Sequence, residues 1–343
     1  MFASDLAAYA RCTDHLDGTG IVATLEREIA TITGFPYVLS MSSASTALTA
    51  AYDAMALVPG DEVIAPALAA AEAVGPLLRA GCTVVFADIE PDTLTLSPTA
   101  VERCLTPRTR AVVAVDVCGH PHDTAAIRDL ADRHGIAYLA DCAQGFGARR
   151  DSRATGYGAD GCILSLNGQK DLAAGEGGLL LTAGRVRYER VLCAWQHPAR
   201  QARELGPDRV NEFPQNGRIN PLAAAAAVAS LPAVLEGIER RRRRAREFIE
   251  ALATSDIVEP LTIPETCEPT YPYLIVAWRS NPRPVELLTW LHRAGFPCTL
   301  RDLPIQPLHP LAKRQYPHQV RIPAPLVHTA QVRRSCCLEV RWS

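Results

Sequence analysis

Lys170 sits between a short apolar run, Ile163-Leu164, and a glycine cluster, Gly175-Glu176-Gly177-Gly178. Ser165 closes the apolar run, and the polar turn Asn167-Gly168-Gln169 presents the lysine. Lysines mostly occupy solvated faces. Here the neighbours are small and uncharged, apart from Asp171 and Glu176. Desolvation disfavours an ammonium and lowers its pKa, and a free amine is what attack on a carbonyl requires. Taken alone, the segment fits a surface lysine in a hairpin turn equally well. A second stretch, AYLADCAQGFGA over residues 137–148, reads as a buried strand ending in Asp141, with Gln144 three residues on. A strand-end acid followed by such a lysine fits pyridoxal 5'-phosphate: the acid pairs with the pyridinium nitrogen and the lysine holds the aldehyde.

With those pieces in view, the chain resembles the DegT/StrS family of sugar aminotransferases, within the fold type I superfamily of pyridoxal phosphate enzymes. The resemblance rests on Gly60-Asp61-Glu62-Val63-Ile64, Asp141-Cys142-Ala143-Gln144, Ser165 through Lys170, and Gly175-Glu176-Gly177-Gly178, in order from about Gly20 to Arg240. It implies an α/β fold with a mostly parallel, seven-stranded type of sheet flanked by helices, plus a small C-terminal α+β domain. The boundary is expected near residue 245, giving a cofactor-binding domain over 1–245 and the small domain over 246–343.

The totals agree with a large enzyme. The chain has 343 residues, 48% of them hydrophobic, enough for a sizeable core. Its formal net charge of −2 offers no basic surface for nucleic acid or an acidic membrane. Eleven cysteines form no C-x-x-C pair and mostly lie in apolar runs, so they read as buried thiols of a reducing cytoplasm, not as disulfides or a metal site. No signal peptide or membrane-length apolar run is expected, Leu222–Ala229 being too short to span.

The elements that must position these residues alternate strand and helix from Tyr37 to Leu181, the pattern of a parallel sheet. Helices are expected at 21–33, 47–57, 66–81 and 124–134, and strands at 37–40, 62–65, 83–87 and 111–115. Residues 185–206 read as polar and mixed, and the arginine run 240–244 as the solvated face of a long helix. Beyond it, strands are expected at 257–263, 271–278 and 298–301, with a helix at 285–294. Ligands in such sheets lie at the carboxyl ends of strands, where Asp141, Ser165 and Lys170 fall.

The resemblance assigns further roles. Ser43, Ala44 and Ser45 take the place of a Ser/Asn-Gly-Thr turn whose amides hold the cofactor phosphate, with Ala44 replacing the usual glycine. Gln144 falls near the ring and its phenolate oxygen, and Ser165 binds phosphate. Asn216, with Arg218 two residues on, matches a segment that reaches across a homodimer interface to the partner's phosphate. Arg218, Arg301 and His309, the last in Pro307-Leu308-His309, match substrate-facing positions. Two departures stand out. Ala70 occupies the position of the ring-stacking Phe or Trp, and Asp116 that of a histidine. Glu72 reads as a solvated helix residue or a new acid/base. The family's last helix is expected to be missing after Leu338-Glu339-Val340-Arg341-Trp342. The implied activity is transfer of an amino group from glutamate or glutamine to a keto-sugar, cyclitol or other secondary-metabolite ketone. Two alternatives stay open: elimination, replacement or carbon–carbon bond formation on an amino acid, and a catalytically silent relative.

Overall fold

The computed structural model describes residues 8, 13–301, 303 and 308–340. Pro307, Arg341 and Trp342 lie outside them.

Runs of small β-branched and aliphatic residues, buried on both faces, build the central sheet. Glu62–Pro66, Gly161–Ser165 and Gly178–Thr182 are buried along their whole length. The strand order is Tyr37–Met41, Gly178–Thr182, Gly161–Ser165, Ala137–Asp141, Thr109–Val115, Glu62–Pro66, Thr83–Ala87 and Val320–Arg321. Gly178–Thr182 runs antiparallel to both neighbours, and every other pairing is parallel. The seven strands expected from the sequence are therefore joined by an eighth, two-residue strand from the C-terminal part. That strand is held by Arg321, which pairs with the fully buried Glu62, and by Gln319, whose Nε2 donates to Leu78 O at 2.7 Å. Two apolar cores lie on opposite faces of the sheet: one around Leu39, Leu48, Val63 and Phe86, the other around Leu25, Ile29, Tyr138 and Leu181.

Several elements differ from the sequence reading, each for a local reason. The helix expected from Pro66 begins only at Ala71. Ala67 N instead continues the ladder to Ala87 O (3.1 Å), and Ala67 O accepts from Leu308 N, so the backbone stays extended for longer. Residues 185–206, read as merely polar, form two helices, Arg185–Trp195 and Pro198–Leu205. Their buried positions include Arg200 and Gln201, so no apolar period marks them. The strand expected at 257–263 covers only Val258–Pro260.

One helix runs from Pro221 to Ala253. By length and composition it could cross a membrane, contrary to the reading of its apolar run as too short. Its inner residues Ala223, Ala224, Ala227, Leu231 and Ile238 instead pack in the second core. Nor is 240–244 simply a solvated face. Arg242 is buried, and its guanidinium donates to the carbonyls of Gly147, Pro269 and Glu268. Arg241 pairs with Asp171. The helical period puts 238, 242 and 245 on one inward face, so composition alone misreads the run.

The helix crosses residue 246 unbroken. Its far end, Phe248 and Leu252, anchors a third core under a four-stranded antiparallel sheet of Val258–Pro260, Leu274–Trp278, Ser335–Val340 and Cys298–Arg301. Between the last two strands in chain order, Leu308, Ala312 and Val332 return to the first core.

Candidate active site

The parallel strands end on one side of the sheet, and the loops beyond them enclose a cavity of about 380 Å³. It is lined by Ser43, Ala44 and Ser45 from one loop, Asp116 and Asp141 from two adjacent strand ends, and Gln144, Ser165 and Lys170. Seven of the sequence-predicted site residues thus meet in one place.

Each is held by its own local structure. Ser43 is the N-cap of the Ala44–Ala54 helix, its Oγ accepting from Thr46 N at 3.0 Å. The first-turn amides of Ala44 and Ser45 have no carbonyl one turn back to bond, as in any helix, and they border the cavity. Gly178 makes that turn possible. A Cβ there would lie 2.4 Å from Ser43 C and 2.4 Å from Ala44 N, so only glycine lets the antiparallel strand pass so close behind the turn.

Lys170 is half-buried on a tight loop. Its N–H donates to Asn167 O (2.9 Å), and Asn167 Nδ2 donates to Glu176 Oε1 (2.7 Å) across the loop. The next residue, Asp171, is tied to Arg241 on the long helix, which fixes the loop from behind. Ser165 Oγ accepts from Asn167 N at 3.3 Å. Gln144 Oε1 accepts from Cys118 N at 2.9 Å, which fixes the amide and aims its other end. Cys118 itself has a left-handed backbone, φ 52°.

Asp141 is buried and accepts from Ala143 N at 3.1 Å. Burial pushes its carboxyl up to about 6. The Ala143 amide and Lys170 oppose that rise, while Asp116 and Glu72 add to it. Beside it, Asp116 is wholly buried and bonded through Oδ1 to His122 Nδ1 at 2.6 Å.

The structure does not bring the remaining predicted residues to this cavity. Asn216 is exposed and Arg218 half-buried on the segment that pairs with Met41. Arg301 lies on the edge of the small sheet, ion-paired with Glu339 at 2.5 Å. His309 begins a short helix, His309–Gln315. Conversely, Glu72, Asn167 and Glu176 line the cavity without having been assigned to it, and no aromatic side chain does so among the described residues. The position of Glu72, two residues past Ala70 where the helix starts, is the signal that places it. His122 carries no sequence signal beyond following Asp116 in a Gly-His-Pro-His run.

The family model for DegT/DnrJ/EryC1/StrS aminotransferases matches residues 11–338. The chain belongs to that family. Among curated relatives, it is 34% identical over 242 residues to L-glutamine:2-deoxy-scyllo-inosose aminotransferase of Micromonospora echinospora, covering 67% of this chain and 56% of that one. It is 31% identical over 240 residues to UDP-N-acetyl-3-dehydro-alpha-D-glucosamine 3-aminotransferase of Acidithiobacillus ferrooxidans, covering 69% and 63%. The chain thus spans about six-tenths of the length of these relatives. Among solved structures, S. venezuelae DesV superposes with a TM-score of 0.80 at 27% identity, covering 98% of this chain and 89% of that one. A Brucella abortus member superposes with a TM-score of 0.84 at 22% identity, covering 99% and 89%. The family's fold type I architecture is the one described above. Its cofactor is pyridoxal phosphate. The donor set fits that group: free first-turn amides for a phosphate, a buried carboxylate for a ring nitrogen, and one lysine for an aldehyde.

Proposed function

We propose that the protein is a pyridoxal-phosphate-dependent aminotransferase that moves an amino group from glutamate or glutamine to the ketone of a sugar, cyclitol or similar secondary metabolite. The observation that carries this reading is the convergence of Lys170, Asp141, Gln144, Ser165 and the Ser43–Ser45 turn on one cavity. The cyclitol and sugar-nucleotide aminotransferases among its relatives support the acceptor class.

The bound cofactor supplies an aldehyde that captures amines and a ring that accepts the electrons of a broken C–H bond. The chain's residues do the rest. Asp141, held by the Ala143 amide, accepts a hydrogen bond from the ring nitrogen and keeps it protonated. The amides of Ala44 and Ser45, with Ser43 and Ser165, hold the phosphate. Gln144 orients the ring edge. Lys170 Nζ, placed by the Asn167 turn and the Asp171–Arg241 pair, would take the proton from the substrate carbon and return it to the carbon on the far side of the transferred nitrogen.

A homodimer completes the site in this reading. The segment carrying Asn216 and Arg218 also carries Phe213, 88% exposed. Arg218 Nε is buried with no hydrogen-bond partner among the described residues. Arg218 of a second copy, with Asn216, would reach the phosphate. Cys82, Cys104, Cys118, Cys142 and Cys162, in the two cores of the large sheet, are buried free thiols, which supports a reducing, cytoplasmic setting.

The test is the absorption spectrum of the purified protein with cofactor, followed during addition of single amino acids. A visible band bleached by L-glutamate or L-glutamine, and absent from Lys170→Ala, is the expected result. A band that responds only to some other amino acid, with no amino transfer, overturns transamination. A Lys170→Ala variant with full activity overturns the reading of the site. Arg218→Ala is expected to weaken cofactor binding about tenfold, the worth of one charge-assisted contact. A monomer with undiminished affinity would remove the dimer.

A further inference from the structure

Two acidic residues end adjacent parallel strands at the cavity, Asp116 and Asp141, joined by a hydrogen bond from Asp116 N to Asp141 O at 3.0 Å. Both are buried, at 0% and 4% exposure. Two carboxylates sharing a buried site resist ionising together. Yet a cofactor ring nitrogen needs Asp141 charged. Something must offset Asp116.

His122 is placed to do so. Asp116 Oδ1 accepts from both His122 N (3.1 Å) and His122 Nδ1 (2.6 Å). The far nitrogen, Nε2, meets the hydroxyl of Tyr138, which is buried on the Ala137–Asp141 strand. The other oxygen, Asp116 Oδ2, is buried with no hydrogen-bond partner among the described residues, and it packs on Gly145, where a Cβ would come within 2.2 Å. An unsolvated carboxylate oxygen at the cavity wall makes the charge of Asp116 felt. Cys142 also lies near, within 4.8 Å of the pair, but the contacts to Asp116 and Tyr138 occupy both imidazole nitrogens, so the cluster is a hydrogen-bonded chain, not a metal site.

Resting on the aminotransferase reading above, we propose that Asp116 and His122 hold one proton between them, and that this net-neutral pair is a positioning device that lets the neighbouring Asp141 carry the charge facing the cofactor ring. The groups around it are few. Lys170 and Glu72 also face Asp141, with the buried Tyr52 beside it. Thr124 approaches His122 Nε2 at 3.3 Å, and Arg128 lies 5.8 Å from the Tyr138 ring centroid. Cys142 and Cys162 flank Tyr138. The second histidine nearby, His120, is pushed down to about 4 by burial and bonds Thr93 O, so it stays neutral and cannot substitute.

The experiment measures the affinity of pyridoxamine phosphate, which cannot bond covalently to Lys170, as a function of pH in four proteins: wild type, His122→Asn, Asp116→Asn and the double variant. Asparagine keeps a donor toward Asp116 but cannot store a proton. Without the stored proton, repulsion from Asp116 raises the pH at which Asp141 loses its charge. The acid-side fall in affinity in His122→Asn is therefore expected about one pH unit higher, roughly tenfold weaker binding at the wild-type midpoint. Asp116→Asn leaves no charge for His122 to offset, so the fall stays close to its wild-type position. In the Asp116→Asn background, His122→Asn moves it no further. The ligand's own phosphate and ring titrate alike in all four, so the differences are read directly. If His122→Asn does not fold, Asp116→Asn carries the test, because a fall moved clearly to lower pH would show that Asp116 faces Asp141 with its charge unoffset. A fall moved clearly in either direction by Asp116→Asn, or an effect of His122→Asn that persists in its background, would overturn the pair's role. A wild type that fails to bind pyridoxamine phosphate at any pH would instead overturn the cofactor assignment, and this proposal with it.

Discussion

Asp141→Asn should make the cofactor-free protein more stable while it weakens the cofactor. Asp141 ordinarily titrates at 3.8 but is pushed up to about 6, chiefly by burial. Below pH 4 both the folded and the unfolded chain hold the proton, and the group costs nothing. Between about 4 and 6 the unfolded chain gives it up while the folded chain keeps it, so stability falls as pH rises. Above 6 the full cost is present. A displacement from 3.8 to about 6 amounts to ~3 kcal/mol, at about 1.4 kcal/mol per pH unit. Asparagine is nearly isosteric and its Oδ1 can still accept from Ala143 N, so the variant removes the charge and little else. Urea unfolding of the apoprotein should show Asp141→Asn ahead by ~3 kcal/mol at pH 7.5 and level with wild type near pH 4. Saturating cofactor should reverse the order at pH 7.5, because a ligand adds stability in proportion to the logarithm of its affinity. An apo variant no more stable than wild type at pH 7.5, or a gap independent of pH, would refute the argument.

Three other perturbations test the scaffold of the site. Gly178→Ala forces a Cβ to within 2.4 Å of the backbone at Ser43 and Ala44, an overpacking of ~1–3 kcal/mol focused on the phosphate turn. Cofactor affinity measured by fluorescence titration should drop at least tenfold, and an unchanged value would show that the turn does not hold phosphate. Arg200→Met leaves the buried Glu26 carboxylate without its two-pronged partner (2.9 and 2.7 Å), a loss of ~3–5 kcal/mol in urea unfolding, partly recovered by adding Glu26→Gln. Equal midpoints would mean that Ser40, which donates to Glu26 through both N and Oγ at 2.8 Å, suffices. Asp171→Asn breaks the tie to Arg241, and amide exchange over 169–172 should speed about tenfold. Unaltered exchange there would separate that pair from the placement of Lys170.

Much of the fold was legible because the large sheet is built from short apolar runs whose polar ends mark the ligand side. Asp141 and Ser165 close two such runs, and both line the cavity. What escaped the sequence is held by long-range polar pairing. The helices over 185–205 bury Arg200 against Glu26 and Gln201 against the carbonyls of Cys193 and Gln196, so their inner faces show no apolar period. Arg242 reads as solvent-facing until Gly147, Glu268 and Pro269 are seen to converge on it. A ribbon of Arg149–Arg150, Arg153–Ala154 and Cys267–Glu268 is too short and polar to mark itself. Around the cavity, the lining residues Asp141, Gln144, Ser165 and Lys170 stand in short motifs of the sequence, whereas His122 meets the cavity only through Asp116, and nothing local reveals that contact.

The charges around the cavity explain why so much structure stands behind so few reacting groups. Its described lining holds four carboxylates, Glu72, Asp116, Asp141 and Glu176, and one cation, Lys170. A phosphate entering that field is opposed by Glu72, Asp141 and Glu176, while Asp116 is paired with His122. The N-terminus of the Ala44–Ala54 helix answers with unpaired amides and a partial positive charge, which need no counter-ion and do not titrate. That solution works only if the turn is rigid, which is why Gly178 must be a glycine and why Ser42 N is also pinned to Gly217 O at 2.7 Å. Gly217 lies between Asn216 and Arg218, so the backbone that steadies the phosphate turn is continuous with the segment that would serve a second copy's phosphate. On the proposed homodimer, this one hydrogen bond would couple cofactor binding to dimer formation. A change that loosens the 216–218 segment is then expected to weaken the turn at Ser43 of its own chain as well as the proposed contact to a second copy.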